Sequence, residues 1–347
     1  MIALEETVNV TSSEVETIRR EKMKQYTNID NIENIQETVQ EAIALKQNPY
    51  QFKELGKEKT LVMLFFNSSL RTRLSTEKAA KNLGMEVMML NISDAWNLEY
   101  EDGTVMNLHT AEHIKEAAQV ISQYADIIAV RAFPSLKDKA KDESEYVLKS
   151  FSTYATVPIV NMESATAHPL QALADAITIE EFKSIKKPKV VLSWAPHPKA
   201  LPQAVANSFV SMMKELDVDF TITHPEGYEL NSEITKGVEV SYNQKETLEN
   251  ADFVYTKNWS SYNDYGQILS TDADWMITKE KLGNAKFMHC LPVRRNVVVE
   301  DKVLDSDNSI VIEQANNRTY SAQIVLKKIL EDIKSKEKEV KKNFLNH

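Results

Sequence analysis

Nearly unbroken apolar, β-branched-rich runs recur along this chain with helical patterns between them, and that recurrence limits the fold more than any other feature. The runs cover 60–66, 86–92, 126–132, 157–162, 189–194, 219–224, 251–259, 286–291 and 309–313. Continuous rather than alternating apolar character marks strands covered on both faces. Helices are expected over 69–82, capped by Ser69 and stopped by Gly84, over 110–124, capped by Thr110, and over 168–182. Alternating strands and helices build parallel α/β sheets, with ligands at the carboxyl ends of the strands. The runs fall into two sets divided by the 168–182 helix, so two α/β domains with a cleft between them are expected. A charged helix from Ala322 to about residue 343 closes the chain.

Glycine is scarce. Seven in 347 residues is well below the usual share of about 7%, and no two stand close enough for GxGxxG or a P-loop. Any phosphate here is bound by another device. The formal charge is −10 with a pI near 5.4, which disfavours a nucleic-acid surface or a polybasic membrane patch. One cysteine, Cys290, excludes an intrachain disulfide framework and a multi-thiolate zinc site. No apolar run approaches the roughly 18–20 residues of a membrane span. The N-terminus also lacks a signal-peptide core. A cytoplasmic protein is expected.

Three segments carry chemistry. In LFFNSSLRTRLSTEKAA a strand hands over to a helix whose first turn holds Arg71, Thr72 and Arg73. Cations at a helix N-terminus oppose its dipole, so the arrangement suits a bound phosphate, with a capped helix and solvated arginines as the plainer alternative. In NMESATAHPLQALADA, His168 follows a strand, Pro169 suits the first helical position, and Gln171 shares that turn. In FMHCLPVRRN, Cys290 ends a strand, Leu291-Pro292 is a candidate cis bond, and Arg294 and Arg295 follow. No histidine is placed to activate the thiol, so Cys290 reads as an unreactive group. His109 and His113 lack a third metal ligand. The Pro-rich SWAPHPKALPQA loop contains His197, and KNW and QANNR put Lys257 and Arg318 just after apolar strands.

In chain order these segments resemble the aspartate/ornithine carbamoyltransferase family. SSLRTR is similar to its phosphate signature, and HPLQ and HCLP to its two other diagnostic blocks. Trp96 in a loop without lysine, WAPHP and KNW resemble the N-acylornithine branch. The likeness runs from about Met23, leaving 1–22 as an extension and Met23 as a candidate start. It implies a carbamoyl phosphate domain (23–165 plus 322–347), an acylornithine domain (166–321), a knotted backbone near His197 to Asn207, and a homotrimer. Ser69, Leu70, Arg71 and Thr72 would hold the phosphate, with Trp96 reaching it from a neighbouring subunit. Arg131, His168 and Gln171 would grip the carbamoyl end, Cys290, Leu291 and Arg318 would complete that pocket, and Glu163, His197, Lys257 and Arg294 would bind the acylornithine. Arg131, His168 and Cys290 would be the catalytic set, without a covalent intermediate, metal or organic cofactor. At Ala111 the acetylornithine enzymes carry a glutamate, and at Val298 they tend to carry a lysine. Both departures favour N-succinyl-L-ornithine over N-acetyl-L-ornithine as substrate. Plain ornithine carbamoylation and a catalytically silent anion-binding homologue are the alternatives.

Overall fold

The computed structural model describes residues 23–345; the expected extension over 1–22 lies outside the described residues. The strands run β1 (Thr60–Phe65), β2 (Glu86–Asn91), β3 (Asn97–Glu99), β4 (Thr110–His113), β5 (Ile127–Arg131), β6 (Ile159–Glu163), β7 (Lys189–Trp194), β8 (Asp219–Thr223), β9 (Glu239–Ser241), β10 (Phe253–Lys257) and β11 (Lys286–Met288). They form a first sheet in the order β2-β1-β5-β6, a second in the order β11-β10-β7-β8-β9, and a small β3-β4 pair. Every strand pairing is parallel. The expected class, two parallel α/β units, is the one observed.

β1, β5, β6 and β10 are buried along almost their whole length, as their continuous apolar sequence requires. The helix Pro169–Phe182 links the two sheets with Pro169 in its first turn, and it is buried on nearly all sides from Pro169 to Ile179. A single hydrophobic core includes Leu61 and Met63 of β1, Leu173 and Ile177 of that helix, and Val190 and Leu192 of β7. The sheets are thus tied through shared packing rather than by one covalent link.

Three expectations fail, each for a local reason. The apolar run 309–313 is not a strand. Ser309 makes one isolated bridge to Phe287, and a helix from Val311 to Leu345 begins at once. A run this short does not distinguish a buried strand from a helix start. The C-terminal helix therefore begins well before Ala322 and carries Arg318 on its face. Thr110 caps no helix: residues 110–113 are β4, and His113 caps the following helix, its Nδ1 accepting from the Lys115 amide at 3.2 Å. Nor does Ser69 cap the first helix, which runs Arg71–Asn82 with Leu70 at its cap position and no side-chain hydrogen bond there.

Gly84 does stop that helix. Its φ is +83°, and a Cβ there would sit 2.0 Å from the Lys53 carbonyl oxygen. Gly84→Ala is expected to lower unfolding stability by more than about 1 kcal/mol, since backbone strain and clash add. Urea denaturation at constant m-value checks this.

Candidate active site

The functional groups gather at the carboxyl ends of the first sheet and around the starts of two helices. β1 ends at Phe65, and the amide of Phe66 donates to the Arg131 carbonyl at 2.9 Å, holding the following turn beside the end of β5. Because no side chain caps Arg71–Asn82, its first amides are left without a side-chain acceptor, the condition for binding an anion there. Thr72 is buried and its Oγ1 accepts from Arg318 Nη2 at 2.7 Å. Arg71 is partly buried, which disfavours its charge, and its Nε has no partner.

Arg131 and Glu163 end neighbouring strands, where the register shifts just before Arg131. Arg131 Nε and Nη2 both donate to Glu163 Oε2, at 3.2 and 3.0 Å. Nη1 donates to the carbonyls of Asn67 and Ser68 at 3.2 and 2.8 Å, and the guanidinium lies 4.2 Å over the Phe133 ring. Burial raises the Glu163 pKa, while Arg131, Arg318 and Lys257 pull it back. Glu163 was expected to contact the acceptor substrate. In this structure its nearest engagement is with Arg131.

His168 is fixed through its backbone, its amide donating to Ser208 Oγ at 2.7 Å. Its pKa is held well below the usual histidine range, first by burial and then by Arg318, Arg131 and Lys257. The ring is therefore neutral near pH 7. Arg318 Nη2 lies 3.4 Å from Nε2, and a guanidinium only donates. Glu163 Oε2 lies 3.6 Å from the same Nε2, and Nδ1 is buried and unpartnered. Gln171 Nε2 donates to Asp175 Oδ1 at 2.7 Å, leaving Oε1 buried and without a partner. Two unpaired polar atoms on one helical turn, His168 Nδ1 and Gln171 Oε1, are what an amide-like ligand group needs.

From the second unit, Lys257 ends β10, and its charge acts on Glu163, His168, His197, His289 and Cys290. Arg294 Nε donates to His197 Nε2 at 3.1 Å. The Pro-rich loop carrying His197 is pinned by Asn258 Nδ2 to the Ala195 carbonyl at 2.7 Å, and by the Ser260 amide to the Leu201 carbonyl at 2.9 Å. Cys290 lies two residues beyond β11, partly exposed, with its thiol pKa raised mainly by burial. The Leu291-Pro292 bond is cis.

Ser69 and Leu70 lead into the same turn, with Leu70 largely exposed. Trp96 stands apart within this chain: it is 58% exposed and its Nε1 donates to Glu112 at 2.6 Å. Ala111 is exposed on β4, next to Glu112. Asp175 and Gln314, bonded to one another behind the site, were not singled out from sequence. The four-residue spacing from Gln171 to Asp175 on a helix was the available signal.

Comparison with known proteins identifies the family. The carbamoyl-P binding domain of aspartate/ornithine carbamoyltransferases matches residues 24–181, and the Asp/Orn binding domain of the same family matches 202–329. An N-succinylornithine carbamoyltransferase from Bacteroides thetaiotaomicron is 50% identical over 317 residues, covering 90% of this chain and all of that protein. An N-acetylornithine carbamoyltransferase from Xanthomonas axonopodis pv. citri is 37% identical over 301 residues, covering 79% and 88%. A glutamate-to-alanine mutant of N-acetyl-L-ornithine transcarbamylase, crystallised with carbamyl phosphate and N-succinyl-L-norvaline, superposes with a TM-score of 0.83 at 34% identity, covering 88% of this chain and 99% of that one. The chain belongs to the aspartate/ornithine carbamoyltransferase family. It is an enzyme, a carbamoyltransferase.

A raised thiol pKa means less thiolate at any given pH, so iodoacetamide should alkylate Cys290 more slowly than free cysteine at pH 8. Cys290→Ala is expected to keep measurable turnover, whereas Arg131→Ala should lose about 100-fold or more in kcat. Equal, complete loss in both would refute the division of roles.

Proposed function

We propose that this enzyme transfers the carbamoyl group of carbamoyl phosphate to the δ-amine of N-succinyl-L-ornithine, giving N-succinyl-L-citrulline and phosphate, as a step of arginine biosynthesis. The observation that carries this is the convergence of Arg71, Arg131, Arg318 and Lys257 on one buried carboxylate, Glu163. A surplus of buried cations beside uncapped helix amides suits a dianionic phosphoryl ester. Ser69, Leu70, Arg71 and Thr72 hold the phosphate. Arg131, His168, Gln171, Cys290, Leu291 and Arg318 surround the carbamoyl end, and Glu163, His197, Lys257 and Arg294 face the acylornithine.

The neutral amine attacks the carbamoyl carbon, forming the new C–N bond, and negative charge builds on the carbamoyl oxygen. The His168 ring, Thr72 and Arg131 supply hydrogen-bonding groups fixed in advance, so that little reorganisation is needed as the charge develops. The C–O bond to phosphate then breaks, and the leaving dianion, stabilised by Arg71 and the helix amides, carries off the proton lost by the amine. The residues named balance this step without a covalent enzyme intermediate.

The succinyl preference rests on Ala111. A glutamate there, as in the acetylornithine enzymes, would repel a succinyl carboxylate by about 4 kcal/mol at ~4 Å and an effective dielectric near 20. A glutamate-to-alanine exchange accompanies N-succinyl-L-norvaline in the crystallised relative. Competing ornithine, N-acetylornithine and N-succinylornithine in one carbamoyl phosphate assay should give the highest kcat/KM for the succinyl substrate, and Ala111→Glu should lower it at least tenfold. A higher value for N-acetylornithine would overturn the preference.

We also assign 23–165 plus 322–347 to the carbamoyl phosphate domain and 166–321 to the acylornithine domain. The pinned His197–Asn207 segment is the place for the family's backbone knot. Cytoplasmic location fits a chain in which no helix among the described residues is long and apolar enough to cross a membrane. A homotrimer would cover β2, an edge strand with Met88, Met89 and Leu90 exposed, together with Leu70, Leu74 and Trp96; such a patch marks a contact surface. In sedimentation the native protein should run at three times 39.5 kDa, and a monomer would refute the shared site.

A further inference from the structure

Asp175 lies one helical turn beyond Gln171 and has no solvent exposure. Its Oδ1 accepts from two side-chain amides at once, Gln171 Nε2 at 2.7 Å and Gln314 Nε2 at 2.7 Å. The other end of Gln314 is also committed, its Oε1 accepting from the His289 amide at 2.8 Å, directly before Cys290. A continuous set of contacts therefore joins the HCLP turn, the long C-terminal helix and the first turn of the HPLQ helix. Asp175 Oδ2 has no partner at ordinary hydrogen-bond distance, the buried Tyr255 hydroxyl being the group that interacts with the carboxyl, and burial pushes the carboxyl pKa up to about 7.

A buried acid is costly, and apolar packing at this position needs none. What a carboxylate supplies that packing does not is a choice between the two ends of a glutamine amide. Those ends are nearly identical in shape and opposite in hydrogen-bond character. An acceptor at Oδ1 turns Gln171 Nε2 toward the helix interior and leaves Oε1 unpaired. With the amide reversed, a donor would face the –NH2 of a carbamoyl group, and two N–H groups would meet.

We infer that Asp175 is a positioning residue for the transfer reaction: by accepting from Gln171 Nε2 it locks that amide so that Oε1 receives the carbamoyl –NH2. The inference rests on the placement of the carbamoyl end beside His168 and Gln171 proposed above. Asp175 touches no substrate and acts only through Gln171. Gln314 holds Asp175 from behind, so the orientation of the carbamoyl clamp is coupled to the loop that carries Cys290.

A double-mutant cycle tests it, with steady-state kinetics on the intact enzyme and thermal melting of each variant. Asp175→Ala should raise KM for carbamoyl phosphate about tenfold, the scale of one hydrogen bond lost in a desolvated site. KM for the acylornithine should stay within about twofold, and in a Gln171→Ala background the same change should add less than about twofold. Asp175→Asn, whose Oδ1 still accepts, should recover most of the loss. Should Asp175→Ala fail to fold, Asp175→Leu fills the volume without an acceptor and gives the same comparison. Full multiplication of the two single effects, or an equal rise in KM for both substrates, would overturn the inference while leaving the carbamoyl placement intact. If Gln171→Ala left KM for carbamoyl phosphate unchanged, the placement and the inference would fall together.

Discussion

The site depends on one buried ion pair, Arg131 with Glu163. Both residues stand at the ends of adjacent strands, β5 and β6, and both of the Arg131 nitrogens that face Glu163 donate to the same carboxylate oxygen. Placing either charge there alone would cost several kcal/mol in desolvation. Their pairing makes the arrangement tolerable and fixes the guanidinium in one orientation, further held by the Asn67 and Ser68 carbonyls. Glu163 also moderates repulsion among Arg131, Arg318 and Lys257, each of which lowers its pKa. The cations outnumber it, so the cleft keeps positive charge to offer a ligand.

The second constraint is the helix Val311–Leu345, which packs against both Arg71–Asn82 and Pro169–Phe182. It carries Arg318 to Thr72 and His168, and Gln314 to Asp175. Further along, Gln323 accepts from Asn82 at 2.9 Å and donates to the Pro49 carbonyl. One rigid element therefore sets the distance between the turn at Ser69–Thr72 and the helix start at His168–Gln171. Side chains on helices and strand ends hold catalytic geometry more closely than loop residues do.

Much of this was legible in the sequence because the informative residues cluster at strand ends within short blocks. β1, β5 and β10 announce themselves by unbroken apolar runs, and Pro169 marks its helix start. What sequence left hidden was set by contacts between distant segments. The 309–313 run touches the edge strand β11 only through residues 308–310 and turns into a helix at Val311, and that helix packs against those at 71–82 and 169–182. Thr110 entered a strand because Asn97–Glu99 lies alongside it. β9 is three residues long and mostly exposed, too short for any period to show. Likewise, HPLQ identified His168 and Gln171 as candidates, but only the fold showed Asp175 and Gln314 standing behind Gln171.

An acidic protein that binds a dianion looks contradictory, and the burial of the cations resolves it. Surface carboxylates act through solvent and are screened beyond about 8 Å at physiological ionic strength. Arg131, Arg318 and Lys257 are nearly withdrawn from water, so their fields reach a ligand in the cleft with far less screening. The same burial holds His168 neutral, so its ring offers a hydrogen-bonding group instead of adding another charge. Net charge then bears on solubility and encounter, while a few desolvated groups decide what binds. Each of those groups is oriented by a partner of its own: Arg131 by Glu163, Arg318 by Thr72, and Gln171 by Asp175.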